Sequence, residues 1–382
     1  MPGKNPLFSE PLHVGRPNLG DRTRLLARFE DLLDRQWLTN DGPYLKEFEA
    51  TIAECLGVRH CVVVCNATIG LQLAIRALNL QGEVIVPAFT FPATVHALAL
   101  EGATPIFCDV DPKNHCLDPR EAERLITPLT SAILGVHLWG NPCAVDALDD
   151  LAKRRGLRLL YDAAHAFGCS HAGRMIGNFG DAEVFSFHAT KFLNSGEGGA
   201  VVTNDDVLAE RLRRLRSFGL HQGEVVQLGT NAKMTEFCAA MGLTSLESRE
   251  LFIERNRENH AAYQSALAET SGIQVLFPEQ NAGNAQYVVV EVNEPQAGIT
   301  RDDLCRALHA ENVLAKRYFW PGCHRMPPYA RAFEATGRRL LHTDRLCERL
   351  LQFPTGCSVS HLDVARIGNF LQRLVARLRR AA

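Results

Sequence analysis

Phe185-Ser-Phe-His-Ala-Thr-Lys191, followed by Gly196-Glu-Gly-Gly199, is the stretch on which the fold turns. An apolar run ends in Ser186, a turn presents one lysine, and the glycines beyond it let backbone approach closely. Ala200–Thr203 then resumes as a second apolar run, and upstream Leu157–Tyr161 ends against Asp162. Further out, Val62–Val64, Val84–Val86, Pro105–Cys108 and Ala132–Val136 are short β-rich runs. Between them the sequence predicts helices at Thr68–Leu78, near Ala93–Leu100 and Pro119–Ile126, and at Ala144–Arg155. Strands alternating with helices imply βαβ crossovers and a largely parallel sheet. The strands are apolar on both faces, as expected when helices cover both sides. The expected class is α/β.

Past the sheet, residues 206–217 and 234–268 read as helices, and Met234–Leu267 is long enough to link two domains. Gln286–Val292 alternates like a strand, Arg301–Glu311 is helical, and Leu362–Arg379 is a basic amphipathic helix. This predicts an amino-terminal arm (1–40), a large α/β domain (41–245) and a small carboxy-terminal α+β domain (246–382). The arm is expected to cross to the small domain or to a partner subunit.

Composition narrows the function. Of 382 residues, 46% are hydrophobic, which excludes intrinsic disorder. A net charge of −2 leaves no basic excess for nucleic-acid binding by bulk charge. No apolar run approaches the ~18–20 residues of a membrane span, and the amino-terminal residues lack the apolar core of a secretory signal. A cytoplasmic protein is expected, with neither nucleic-acid nor membrane partners. The 12 cysteines show no Cys-x-x-Cys spacing. They read as small buried hydrophobes in a reducing compartment, with no metal site.

Four segments can carry chemistry. Lys191 lies beyond a strand's carboxyl end, where open α/β sheets bind ligands. Desolvation lowers a lysine's pKa and prepares it for Schiff-base formation; the plainer alternative is a surface lysine in a turn. Asp162 ends the strand of Leu159-Leu-Tyr-Asp162-Ala-Ala-His165-Ala-Phe-Gly168. A carboxylate there is costly unless it meets a cation, and the pyridinium nitrogen of pyridoxal phosphate is one. Val63-Val-Cys-Asn66-Ala-Thr68-Ile-Gly70 is a strand-to-helix junction, and helix amino-termini bind phosphate. Pro87-Ala-Phe-Thr90-Phe91-Pro-Ala-Thr94 places an aromatic at a strand end, where it can stack on a flat ring. Together these place a lysine, an aspartate, a phosphate cradle and an aromatic plate along one sheet edge.

The chain resembles the DegT/DnrJ/EryC1/StrS family of pyridoxal-phosphate sugar aminotransferases. The matching motifs are Trp37-Leu-Thr-Asn-Asp-Gly-Pro43, Asn66-Ala-Thr68, Pro87-Ala-Phe-Thr-Phe91, Asp109-Val-Asp-Pro112 and Val136-His-Leu-Trp-Gly140. Asp162-Ala-Ala-His-Ala166, Phe185 to Lys191, Gly196-Glu-Gly-Gly199 and Gly229-Thr-Asn231 complete the series. The resemblance runs from about Trp37 to the carboxy-terminal helix. It implies the aspartate-aminotransferase (type I) fold and pyridoxal 5'-phosphate as cofactor. It further implies that Lys191 holds the cofactor, Asp162 pairs with the pyridine nitrogen, and Phe91 stacks on the ring. Ala67, Thr68 and Ser186 would hold the phosphate. Asn231 would reach the phosphate in a neighbouring subunit, giving a homodimer with shared active sites. His324 resembles the position that faces the sugar nucleotide.

Two departures from the family stand out. His165, near the cofactor's phenolic oxygen, replaces a frequent glutamine, and Lys233 replaces a frequent arginine. The expected reaction moves an amino group from L-glutamate to a nucleotide-linked keto-sugar. Lys316-Arg-Tyr-Phe-Trp-Pro-Gly-Cys-His324 resembles the subgroup that makes dTDP-4-amino-4,6-dideoxy-D-glucose from dTDP-4-keto-6-deoxy-D-glucose. Arg317 would meet the diphosphate, and Tyr318 or Trp320 would pack on sugar or base. The rival readings are a cyclitol or aminoglycoside-precursor aminotransferase, a sugar dehydratase, and a catalytically silent regulatory protein of the same fold. Lys191 argues against the dehydratase, whose branch carries histidine there.

Overall fold

The computed structural model describes residues 5–277 and 283–381. Its largest sheet has seven strands. Across the sheet they run His60–Val64, Gly199–Thr203, Ala182–Ser186, Arg158–Asp162, Thr130–Val136, Glu83–Pro87 and Thr104–Cys108. Gly199–Thr203 is antiparallel to both its neighbours. The remaining pairings are parallel. Six strands therefore deliver their carboxyl ends to one edge, where Gly199–Thr203 begins. Val64, Pro87, Asp162, Ser186 and Gly199 meet there because of this topology.

Alternation along the strands builds a core on each face. Val62, Val64, Val184 and Val201 face one cluster, together with Leu71, Ile75 and Leu98 from helices Ala67–Ala77 and Pro92–Leu100. Cys61, Val63, Phe185, Ala200 and Val202 face the other, with Phe48 and Ile52 of helix Pro43–Leu56 and Leu243 and Leu246 of helix Glu236–Glu247. Each such fully buried Val, Leu, Ile or Phe contributes about 1.5–3 kcal/mol.

Residues 234–267 do not form one continuous helix. Glu236–Glu247 and Arg249–Leu267 are separate, with a break at Ser248. The hydroxyls of Thr244 and Ser248 donate to the carbonyls of Ala240 and Thr244, and such back-bonding bends helices. Beyond the break lies a three-stranded antiparallel sheet of Ile273–Val275, Val288–Val292 and Leu350–Phe353. Its core joins Tyr263, Val290, Leu304 and Leu371, the last from helix His361–Ala381.

The amino-terminal segment spans both parts. Leu12–His13 pairs in parallel with Val313–Leu314. Asn18 is buried, donates to the Phe192 carbonyl at 3.0 Å and accepts from the Cys357 amide at 3.0 Å. Its carbonyl accepts from Asn194 Nδ2 at 2.9 Å. The arm thus ties the lysine loop to the carboxy-terminal part. Among the described residues, no helix is long and apolar enough to cross a membrane.

Candidate active site

A cavity of about 580 Å³ opens at the carboxyl edge of the sheet. Ala67, Thr68, Phe91, Asp162, His165, Ser186 and Lys191 line it, as do Tyr287 and Tyr318.

Lys191 follows the strand ending at Ser186. Its Nζ donates to the Tyr287 hydroxyl at 3.1 Å. Burial lowers its pKa to about 8, against the opposing pull of Asp162. Tyr287 stays a phenol, because burial pushes its pKa well above the usual value.

Asp162 is buried at the last position of its strand. Its Oδ2 accepts from Thr94 Oγ1 at 2.8 Å, and its Oδ1 accepts from the Ala164 amide at 3.0 Å. Thr90 Oγ1 lies 3.0 Å behind Thr94 Oγ1. Burial raises the Asp162 pKa despite these bonds. A cationic ring nitrogen would relieve that cost.

Asn66 caps helix Ala67–Ala77 by accepting from the Ile69 amide at 2.9 Å. The first-turn N–H groups of Ala67 and Thr68 have no partner within the helix. Gly199 closes the floor beneath them: a Cβ there would lie 2.6 Å from the Ala67 nitrogen. An anion seated at this junction meets the positive end of the helix dipole. Buried carboxylate, low-pKa lysine, helix start and the exposed ring of Phe91 thus fit pyridoxal phosphate.

His165 is buried, and its Nδ1 accepts from the Trp139 amide at 3.3 Å. Burial holds its pKa well below the usual value, and the neighbouring Lys191 lowers it further. With a donor at Nδ1, a neutral His165 ring is left to carry its proton on Nε2.

The residues expected to face the nucleotide sugar divide. Lys316, Tyr318, Phe319 and Phe91 are shared with an adjoining hollow of about 410 Å³, which Arg317 and Trp320 also line. Arg317 lies 4.9 Å over the Trp320 ring and pairs with Asp302 at 3.2 Å. The structure does not bring His324 to either hollow. Positive φ at Gly322 turns the chain inward. The His324 ring is 2% exposed, packs on Phe107 and Phe333, and bonds Asp344 at 3.1 Å. In this chain it sits as a core histidine, apart from the hollows that Arg317 and Tyr318 line.

Asn231 is exposed and lies outside the cavity of its own chain, accepting from Lys233 Nζ at 2.8 Å. Tyr287 and Thr94 escaped the sequence reading as functional residues. Tyr287 lies 96 positions from Lys191, at an otherwise ordinary strand start. Thr94 ends the segment that carries the aromatic Phe91, and no spacing rule links it to Asp162. Among the described residues no group of three or more His, Cys, Asp or Glu could hold a metal ion.

Comparison with known proteins fits this geometry. Residues 21–372 match the DegT/DnrJ/EryC1/StrS aminotransferase family. The chain belongs to that family. Its members are pyridoxal-phosphate-dependent sugar aminotransferases. A dTDP-4-amino-4,6-dideoxy-D-glucose transaminase of Shigella dysenteriae is 38% identical over 82% of this chain and 86% of its own length. A GDP-perosamine synthase of Vibrio cholerae is 33% identical over 85% of this chain and 88% of its own. Among solved structures, DesI in the presence of its TDP-sugar product is 49% identical with a TM-score of 0.94, covering 99% of this chain and 96% of DesI.

Proposed function

We propose that this aminotransferase moves the amino group of L-glutamate to dTDP-4-keto-6-deoxy-D-glucose, giving dTDP-4-amino-4,6-dideoxy-D-glucose. The observation that carries the reaction is Lys191, an amine with pKa lowered to about 8, in one cavity with Asp162 and His165. The names of the Shigella transaminase and of the DesI complex support the acceptor.

When bound, pyridoxal phosphate supplies an electron sink for the charge left by removing an α-proton. Ala67, Thr68 and Ser186 would hold its phosphate, Asp162 its ring nitrogen, His165 its phenolic oxygen and Phe91 its ring face. Lys191 would anchor the cofactor and, once displaced by the donor, take the proton from the donor's α-carbon. An amine that deprotonates near pH 8 is a competent base at working pH. Donation of one N–H to Tyr287 leaves the lone pair of Nζ for that proton. Running the transfer backwards delivers a proton to the sugar carbon that receives nitrogen. Arg317, Tyr318 and Trp320 would meet the nucleotide in the adjoining hollow.

The working unit in this reading is a cytosolic homodimer. Phe218, Val225, Val226 and Leu228 expose apolar surface beside Asn231, which suits contact with a second copy. Asn231 would then reach the partner's cofactor phosphate. All 12 cysteines are free, in keeping with a reducing compartment.

A second reading keeps the chemistry and exchanges the base for guanine, as the likeness to GDP-perosamine synthase suggests. Incubation with L-glutamate and, in parallel, the dTDP-linked keto-sugar, its GDP counterpart or a keto-cyclitol separates these readings. Mass spectrometry should find the amine from the dTDP sugar. An amine from the GDP sugar alone would support the second reading, and one from the cyclitol alone would reject both.

A further inference from the structure

His165 does not stand alone in the cavity wall. Trp139 is fully buried, and its ring lies 5.8 Å from that of His165, at 17°. On its other contacts Trp139 stacks on Phe319 at 5.1 Å and meets Tyr287 edge-on at 5.4 Å. Its indole Nε1–H donates to His115 Nδ1 at 3.3 Å. His115 is 3% exposed and itself packed edge-on against Phe277 at 5.0 Å.

The backbone at Trp139 is unusual. Its φ is +61°, in the left-handed region, and His115 shares that conformation at +62°. A non-glycine residue is strained there, so surrounding contacts must hold it. The turn at Trp139 is what aims its amide at His165 Nδ1. The indole bond to His115 holds the same residue from its far end. Asn284 Nδ2 and Gln286 Nε2 both donate to the His165 carbonyl, at 2.9 and 3.1 Å, and fix that residue's backbone.

We propose that His115 is a positioning residue: through Trp139 it locks His165 as the neutral, Nε2-protonated tautomer that the cofactor's phenolic oxygen requires. The proposal rests on the reading of His165 as the residue facing that oxygen. A glutamine amide donates at any pH, whereas a histidine does so reliably only if its tautomer is fixed. Here Nδ1 is occupied by a donor, so the ring proton is left on Nε2. His115 can play its part because burial lowers its pKa to about 4, against the pull of Asp111, and its Nδ1 stays an acceptor. The titratable groups facing His165 are Lys191 and Tyr287, and neither brings a negative charge.

The test is nitrogen-15 NMR of histidine-labelled protein, with His165 assigned by loss of its signals in H165Q. In the cofactor-free enzyme, His165 should show a protonated Nε2 and a bare Nδ1, unchanged from about pH 6 to 8.5 around its ordinary pKa. In H115L, which lacks the acceptor, the tautomer should become mixed, and affinity for pyridoxal phosphate should fall about two- to tenfold, the range of one neutral hydrogen bond. H115N places an oxygen where Nδ1 was and tolerates positive φ, so it should restore both. Titration of His165 in that window, or H115L signals and affinity identical to wild type, would overturn the proposal. These signals are read without glutamate or sugar, so failure of the transaminase reading would show separately, as absent amine transfer.

Discussion

In the proposed mechanism the chemistry depends on Lys191. Lys191→Ala should lower turnover by at least about 10²–10⁴-fold, the usual share of a general base, while the fold persists by circular dichroism. The lowered pKa also has a stability signature. The cofactor-free native state disfavours the lysine's charge, so between about 8 and the ordinary 10.5 the unfolded chain binds more protons and stability rises with pH. Lys191→Met should therefore stabilise the cofactor-free protein most below pH 8. That gain should fade as pH rises from 8 towards 10.5, as urea unfolding at pH 7 and 10 would reveal. Equal gains at both pH values would contradict the buried-charge account. Thr94→Val should weaken cofactor binding about two- to tenfold by removing one donor to Asp162, and Thr94→Ser should restore it. Lys191 and Asp162 were legible in the sequence because each ends or follows an apolar strand. Tyr287 and Thr94 were not, because contacts across the chain leave no mark in local spacing.

Strands and helices place these residues. The junction of Gly199–Thr203 with helix Ala67–Ala77 leaves no room for a side chain at Gly199. Gly199→Ala should push the two backbones apart and abolish cofactor retention on gel filtration, where the wild type stays loaded. Retention at the wild-type level would show that the phosphate sits elsewhere. Asn18→Ala removes the buried link between arm, lysine loop and carboxy-terminal part. Its cost should be about 1–3 kcal/mol, since buried partners are left unsatisfied, and denaturant melts measure it. The parallel strands could be read from sequence because helices on both sides make them apolar throughout. The break at Ser248 could not, since the flanking helices share one continuous pattern and only hydroxyl back-bonding separates them. The burial of His324 was hidden for a related reason: its motif gives the residue type but not the positive φ at Gly322 before it.

At the scale of the whole molecule, the proposed dimer shares its sites. Mixing Lys191→Ala with Asn231→Ala subunits should create one intact site in each mixed dimer and raise activity above the mean of the two parents. No such rise after subunit exchange, verified by mass, would place Asn231 outside the partner's site. The most direct measurement of the account is the absorption spectrum of the loaded enzyme on adding L-glutamate. The visible band should bleach, and it should return when dTDP-4-keto-6-deoxy-D-glucose follows. A spectrum unchanged by glutamate would contradict the assignment of Lys191 and its cavity to amine transfer.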